Sequence, residues 1–416
     1  MSCAPTIDNL TLRGLEAKQC TLPSGARVLA ISDPRAKNLS LSLTVPAGMR
    51  HEQAMEHGTM HLIEHLVYQD SAQIGGLERQ RTVAAAGGTL GGNTHMDYTE
   101  FYETGPVGSA TPVARRLIEQ VFYPRLSENQ IEEQIQAVAA ERAHRLHGVP
   151  GQRLPWPHLT GLYWSDYGSG HDGSGDTDLR GRVHAEQLRR IHRRYYRPEH
   201  CVLVALTPRD PLETVVELAD VMAEVTVTAQ DTESEPLRTP RAAPNPPHDQ
   251  HGHGDRHRLI AVTQAAPART VTDAFLGDTL TAELLAGQPG IDAAAGIFGL
   301  GDSTLPDLFV LIDDTNFTLD PAERLRAVST AKEEKVQQAV RRAHYRAQKF
   351  VVDDERLVRT VARDLVLRDC PEFTLHLSAQ LGGLRQDIQR SKTLIDESCQ
   401  RLAGQPMATL TIRFAS

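Results

Sequence analysis

Aromatic residues are scarce in this chain, at 5% with two tryptophans among 416 residues. The apolar share of 40% and charged share of 23% are nevertheless those of a soluble, folded protein. Long apolar runs are missing: no stretch reaches the ~18 residues of a membrane span. The opening MSCAPTIDNLTLRGLEAKQC has neither the basic nor the apolar region of a secretory signal, so a cytoplasmic protein with no membrane partner is expected. Basic charge is short as well. With 44 Lys and Arg against 53 Asp and Glu, the net charge is −9, which argues against nucleic acid, because phosphate binding needs a concentrated basic face. The five cysteines, Cys3, Cys20, Cys201, Cys370 and Cys399, are scattered and lack the short paired spacing of a zinc ribbon or redox motif. Reduced, structural thiols are expected.

The length suits two domains of roughly 200 residues. ARVLAISD and LSLSLTVPAG alternate apolar and polar residues at the period of half-buried strands, which predicts an antiparallel sheet. From Glu56 to Tyr68 the period becomes helical, with Met60, Ile63, Leu66 and Val67 at three- and four-residue steps. AGGTLGGNTHMDYTEFYETGP then reads as a glycine-rich loop feeding a strand. A second helix opens at Ser127 and Gln130, a capping-box pair, and stops at Gly148. The segment 226–257, rich in proline, acids and histidine, reads as a linker between a first domain over 1–225 and a second over 258–416. The second half again alternates strands and helices, a faint sign of duplication, so the expected fold is α+β with two related domains, each an antiparallel sheet packed with helices.

Chemistry concentrates on the first helix. His61 and His65, four residues apart, stand on one helical face and can present two imidazoles to one ion. Hydrolytic zinc takes three protein ligands and leaves a position for water, so a third ligand must come from elsewhere. Glu141 is favoured: its neighbours one turn earlier, Ala137 and Val138, suggest an inward face, where a lone carboxylate would be costly unless a cation held it. Glu64, directly before His65, points toward the same cavity and is placed to act as the base that takes a proton from water and returns it to a leaving amine. The histidines His248, His251, His253 and His257 lie in a proline-broken run without preorganised geometry and are assigned to the linker. HRRYYR at 192–197 reads as a helix end packing onto the following VLVAL strand.

With these residues in place the chain resembles the pitrilysin and insulysin family of zinc peptidases with an inverted His-x-x-Glu-His motif, near its small bacterial members and the mitochondrial processing peptidase catalytic subunit. LPSGARVLAI, LTVPAGMRHE and GTMHLIEHLVY follow in the family's order. Family members carry a third zinc ligand about 76 residues beyond the second histidine, which again selects Glu141. GGTLGGNTHMDYTEFYETGP resembles a Gly-Gly-x-x-Asn-Ala-x-Thr strand, and IHRRYYRPEHCVLVAL a Phe-His-x-x-Tyr-Tyr-Arg-Pro-x-Asn segment. The resemblance implies Zn2+ as cofactor and places Asn93, Thr94 and His95 on an edge strand that pairs with extended peptide substrate. Gln134 stands where the family has a second glutamate, with Glu133 beside it, so both are expected around the ligands. The family's substrate-gripping Arg-Tyr pair has no counterpart between Thr270 and Glu323, where neither residue type occurs. The resemblance therefore implies a zinc endopeptidase acting on peptides or leader segments, as one chain of a heterodimer whose partner carries the Arg-Tyr clamp, with a homodimer or a non-catalytic scaffold subunit as alternatives.

Overall fold

A computed structural model describes residues 6–147, 161, 163–164, 167–175, 177–226, 248–250, 256–264, 270–295, 308–313 and 321–414. The chain forms two compact units, and the division is not a single cut. One unit gathers Met1–His144, Gly173–Leu237 and Phe350–Leu375, the other Arg145–Asp172, Arg238–Lys349 and His376–Ser416.

In the first unit the alternating segments form a seven-stranded sheet from β1 (Thr6–Leu12), β2 (Leu15–Thr21), β3 (Arg27–Ser32), β4 (Asn38–Val45), β5 (Leu90–Thr94), β6 (Thr99–Pro106) and β7 (Val202–Thr207), in the order β1-β2-β3-β7-β4-β6-β5. The expected antiparallel sheet needs one correction: β3 and β7 pair in parallel, Arg27 opposite Val202 through Ser32 opposite Thr207. A parallel pair requires a long crossover, and the helices between residues 59 and 195 provide it. These are α1 (Thr59–Val67), α2 (Gly76–Ala85), α3 (Thr111–Phe122), α4 (Glu128–His147) and α5 (Ala185–Tyr195), followed after β7 by α6 (Pro211–Ala223). Leu39, Leu41, Leu43 and Val45 of β4 join Met60, Ile63, Leu117, Val138 and Leu218 in one core.

The alternate residues Ser40, Ser42 and Thr44, expected on a solvent face, are buried at 1% or less. A helix from much later in the chain, α10 (Asp354–Arg368), lies against β4 and β7. Its Leu357, Val358, Val361 and Leu365 form a second core with Leu29, Ile31, Val202, Val204 and Leu206. Alternation within one strand cannot reveal a cover that distant.

The second unit holds a five-stranded sheet of β8 (His248–Gln250), β9 (Arg256–Gln264), β10 (Ile291–Ala295), β11 (Leu308–Asp313) and β12 (Met407–Phe414), ordered β10-β11-β9-β12-β8, with β12 and β8 parallel. Here too the antiparallel expectation is corrected at one pairing. Among its helices, α7 (Val271–Ala286), α8 (Pro321–Ser329) and α12 (Ile388–Ala403) pack together through Leu276, Leu280, Leu325, Leu394 and Ile395. The segments α9 (Glu333–Val352) and α11 (Phe373–Leu384) cross the division between the units. Most of the expected linker, including His251 and His253, lies outside the described residues, but β8 and the start of β9 fall within it. Cys20, Cys201, Cys370 and Cys399 are free thiols, while Cys3 lies outside the described residues. Among the described residues no helix is long and apolar enough to cross a membrane.

Candidate metal centre

Helix α1 begins at a buried and tightly held end. Gly58 takes φ of +76°, a left-handed conformation that glycine adopts freely, and it offers no side chain to cap the helix. Glu52, 4% exposed, does so instead: its carboxylate accepts from the Gly58 amide at 2.8 Å and the Met60 amide at 2.7 Å. An anion at this end also meets the positive pole of the helix. The expected helix over 56–68 is thus shortened to Thr59–Val67 by a separate short turn at Ala54–Glu56.

The two histidines then project one turn apart with ring centroids 4.8 Å from each other. From α4, Glu141 brings Oε2 to 3.7 Å from His61 Nε2 and 3.3 Å from His65 Nε2. Each ring is anchored by its other nitrogen. His61 Nδ1 donates to the Ser174 carbonyl at 2.7 Å, and His65 Nδ1 donates to Gln134 Oε1 at 3.3 Å. This leaves both Nε2 lone pairs directed at one point beside Glu141. A tetrahedral zinc with bonds near 2.05 Å separates its ligand atoms by about 3.3 Å, so these donors fit that ion in type and spacing. Burial pushes the His65 imidazole down, yet hydrogen bonding to Glu141 and the negative charge of Glu64 and Glu141 outweigh it, and its pKa is raised. The pocket attracts positive charge.

Some expectations change. Glu141 is 34% exposed and Ala137 is exposed, so the inward stripe of α4 runs through Ile131, Ile135 and Val138 and passes Glu141 at its margin. Of the pair expected around the ligands, Gln134 holds His65, whereas Glu133 is exposed. The Ser127 and Gln130 pair meets side chain to side chain, the Ser127 hydroxyl donating to Gln130 Oε1 at 2.8 Å.

Glu64 is 8% exposed, and its Oε2 accepts from the Thr94 hydroxyl at 3.1 Å. Thr94 closes β5, which is the terminal strand of its sheet. The other residues expected to face substrate turn elsewhere. Asn93 Nδ2 donates to Glu100 Oε1 at 3.2 Å, and His95 Nε2 lies 3.6 Å from the same oxygen. Arg359 of α10 donates to that oxygen too, from Nε at 3.1 Å, while its guanidinium stacks 4.2 Å from the Tyr102 ring centre. Burial alone would raise the Glu100 carboxyl, but His95 and Arg359 hold its pKa at about 2.

Counted from Gly87 and Gly88, the Asn-Ala step of the family strand falls on Gly91 and Gly92, not on Asn93. A Cβ at Gly91 would collide with the Tyr102 hydroxyl oxygen, and one at Gly92 would stand 2.8 Å from that of Tyr68. The two tyrosines occupy the space those side chains would need. Glu52, Ser174 and Arg359 escape sequence reasoning. Ser174 acts through its backbone, and Arg359 arrives from a distant helix. Glu52 alone carried a signal, as an acid shortly before a helix start.

The imidazoles of His61 and His65, on the His-x-x-Glu-His helix, and the carboxylate of Glu141 thus form a cluster able to hold a metal ion. The sequence profile of the insulinase family, peptidase family M16, matches residues 27–148, which contain every residue of this cluster. This part of the chain is similar to the M16 peptidases. An uncharacterized zinc protease of Mycobacterium tuberculosis is 28% identical over 192 residues, 46% of this chain and 43% of that protein. The chain thus spans less than half of that relative's length. A probable mitochondrial-processing peptidase subunit beta of Arabidopsis thaliana is 31% identical over 96 residues, 23% of this chain and 18% of that protein. In fold, the chain is similar to a protease from Helicobacter pylori (TM-score 0.73, 15% identity, covering 99% of this chain and 100% of that one). It is also similar to a peptidase M16 inactive domain from Pseudomonas fluorescens (TM-score 0.74, 11% identity, 99% and 98%).

Proposed function

We propose that this protein is a zinc-dependent endopeptidase in which His61, His65 and Glu141 hold the metal and Glu64 is the catalytic base. The observation that carries the reading is the meeting of three potential ligand atoms within 4.8 Å of one another, with the Glu64 carboxylate on the same helix as the two histidines. When bound, zinc supplies a Lewis acid that makes water nucleophilic at neutral pH. Glu64 would accept a proton from the attacking water and pass it to the departing amine. Its low exposure keeps bulk water from competing for the proton. Extended peptide lies along β5, whose outer edge offers main-chain partners to any sequence.

Main-chain pairing contributes only about 1 kcal/mol per bond, too little to fix a scissile bond without a second grip. With no Arg or Tyr between Thr270 and Glu323, that grip comes from a related partner chain. A relative named as a subunit and a fold neighbour described as an inactive M16 domain support paired chains. The test is Glu64→Gln assayed with a fluorogenic peptide library, alone and with candidate partners. Retained zinc with activity down at least ~100-fold is expected. Wild-type rates in the variant would show the base is wrong, and a zinc-free native protein would favour the scaffold role.

A further inference from the structure

We infer that Thr94 is a positioning residue that fixes the carboxylate of Glu64 from the edge strand. A glutamate side chain has three rotatable bonds, and a general base must be held within about 0.5 Å of its working geometry. The Thr94 hydroxyl donates to Glu64 Oε2 at 3.1 Å, a contact between β5 and α1 that joins the base to the strand proposed to carry substrate.

Thr94 is itself rigidly placed. It pairs with Thr99 across the β5–β6 ladder, and the Thr99 hydroxyl, fully buried, donates to the Ala47 carbonyl at 2.8 Å. The turn between these strands is tied to the same stretch: Met49 and Arg50 amides donate to the His95 and Met96 carbonyls at 2.9 Å. Arg50 and Asp97 form an ion pair at 2.9 Å with both side chains 2% exposed or less. Two residues on, Glu52 caps α1. The base and the hydroxyl that orients it are therefore both referenced to residues 47–52. A shift of β5 relative to α1 has to break buried bonds before it can misplace Glu64.

The kinetic consequence of this inference rests on the peptidase reading above; the geometric one does not. Thr94→Val keeps the β-branched shape and removes the hydroxyl, and Thr94→Ser returns it. Both variants, with wild type, are compared by crystal structure, zinc content and peptide hydrolysis in the active assembly. The expected result is that Glu64 Oε2 leaves its site in Thr94→Val and kcat falls about tenfold to a hundredfold, with KM and zinc content unchanged. Thr94→Ser restores both position and rate. Glu64 unmoved in Thr94→Val, a loss confined to KM, or a serine variant no better than valine would overturn the inference. A wild-type protein that binds zinc and cleaves nothing with any partner would sink the peptidase reading, and the position of Glu64 in the two crystal structures would then decide the role of Thr94 by itself.

Discussion

Replacing Gln134 by leucine removes the acceptor that orients His65 while leaving all three proposed zinc ligands in place. The bond from His65 Nδ1 to Gln134 Oε1 is 3.3 Å, on the long side for its kind. Loss of an orienting partner of a metal-bound histidine costs 10–100-fold in affinity, and a long bond belongs at the lower end. The expected change is about tenfold weaker zinc binding, or ~1.4 kcal/mol. Gln134→Glu should act in the other direction, because a charged acceptor roughly doubles the strength of such a bond and makes the imidazole a better donor to the metal. Competition titration against a chromogenic chelator at fixed pH measures both constants. His61 is the internal control. Its partner is the Ser174 carbonyl, which a side-chain substitution at 134 does not remove, so both variants still bind one equivalent at saturating zinc. A leucine variant within twofold of wild type, or a glutamate variant that binds more weakly than leucine, would refute the claim that Gln134 orients His65.

Zinc binding should weaken as pH falls, since His65 has a raised pKa in the metal-free site and its proton must leave before the ion enters; chelator competition at several pH values measures the slope. Glu100 is held at about 2 against an ordinary 4.5, so the stability it contributes is present above pH 4.5 and is lost as pH falls toward 2. At neutral pH that difference corresponds to about 3 kcal/mol, and Arg359→Met should forfeit part of it, the remainder resting on His95, in urea unfolding while flattening the acid limb of the stability profile. Glu52→Ala should cost about 2–3 kcal/mol, because it leaves the Gly58 and Met60 amides buried without their acceptor. The readout is a lowered denaturation midpoint with unchanged slope.

The local patterns that depend on near neighbours were readable from the residues alone. Apolar steps at Met60, Ile63, Leu66 and Val67 set a helix, and four-residue spacing then put His61 and His65 on one of its faces, because helical geometry is the same wherever the helix lies. The strands β3 and β4 were legible for the same reason. What depends on distant chain was not. Alternation in LSLSLTV signals that successive side chains point to opposite faces, but α10 decides that both faces are covered. The apolar-face argument and the family resemblance both selected Glu141, but the former placed it deeper than its 34% exposure allows. Gln134 and Thr94 were singled out through the resemblance, but not the side chains they would meet. A carbonyl at Ser174 and a guanidinium at Arg359 have no distinguishing pattern, because a hydrogen bond requires only that two groups come within about 3 Å, and folding alone brings them there.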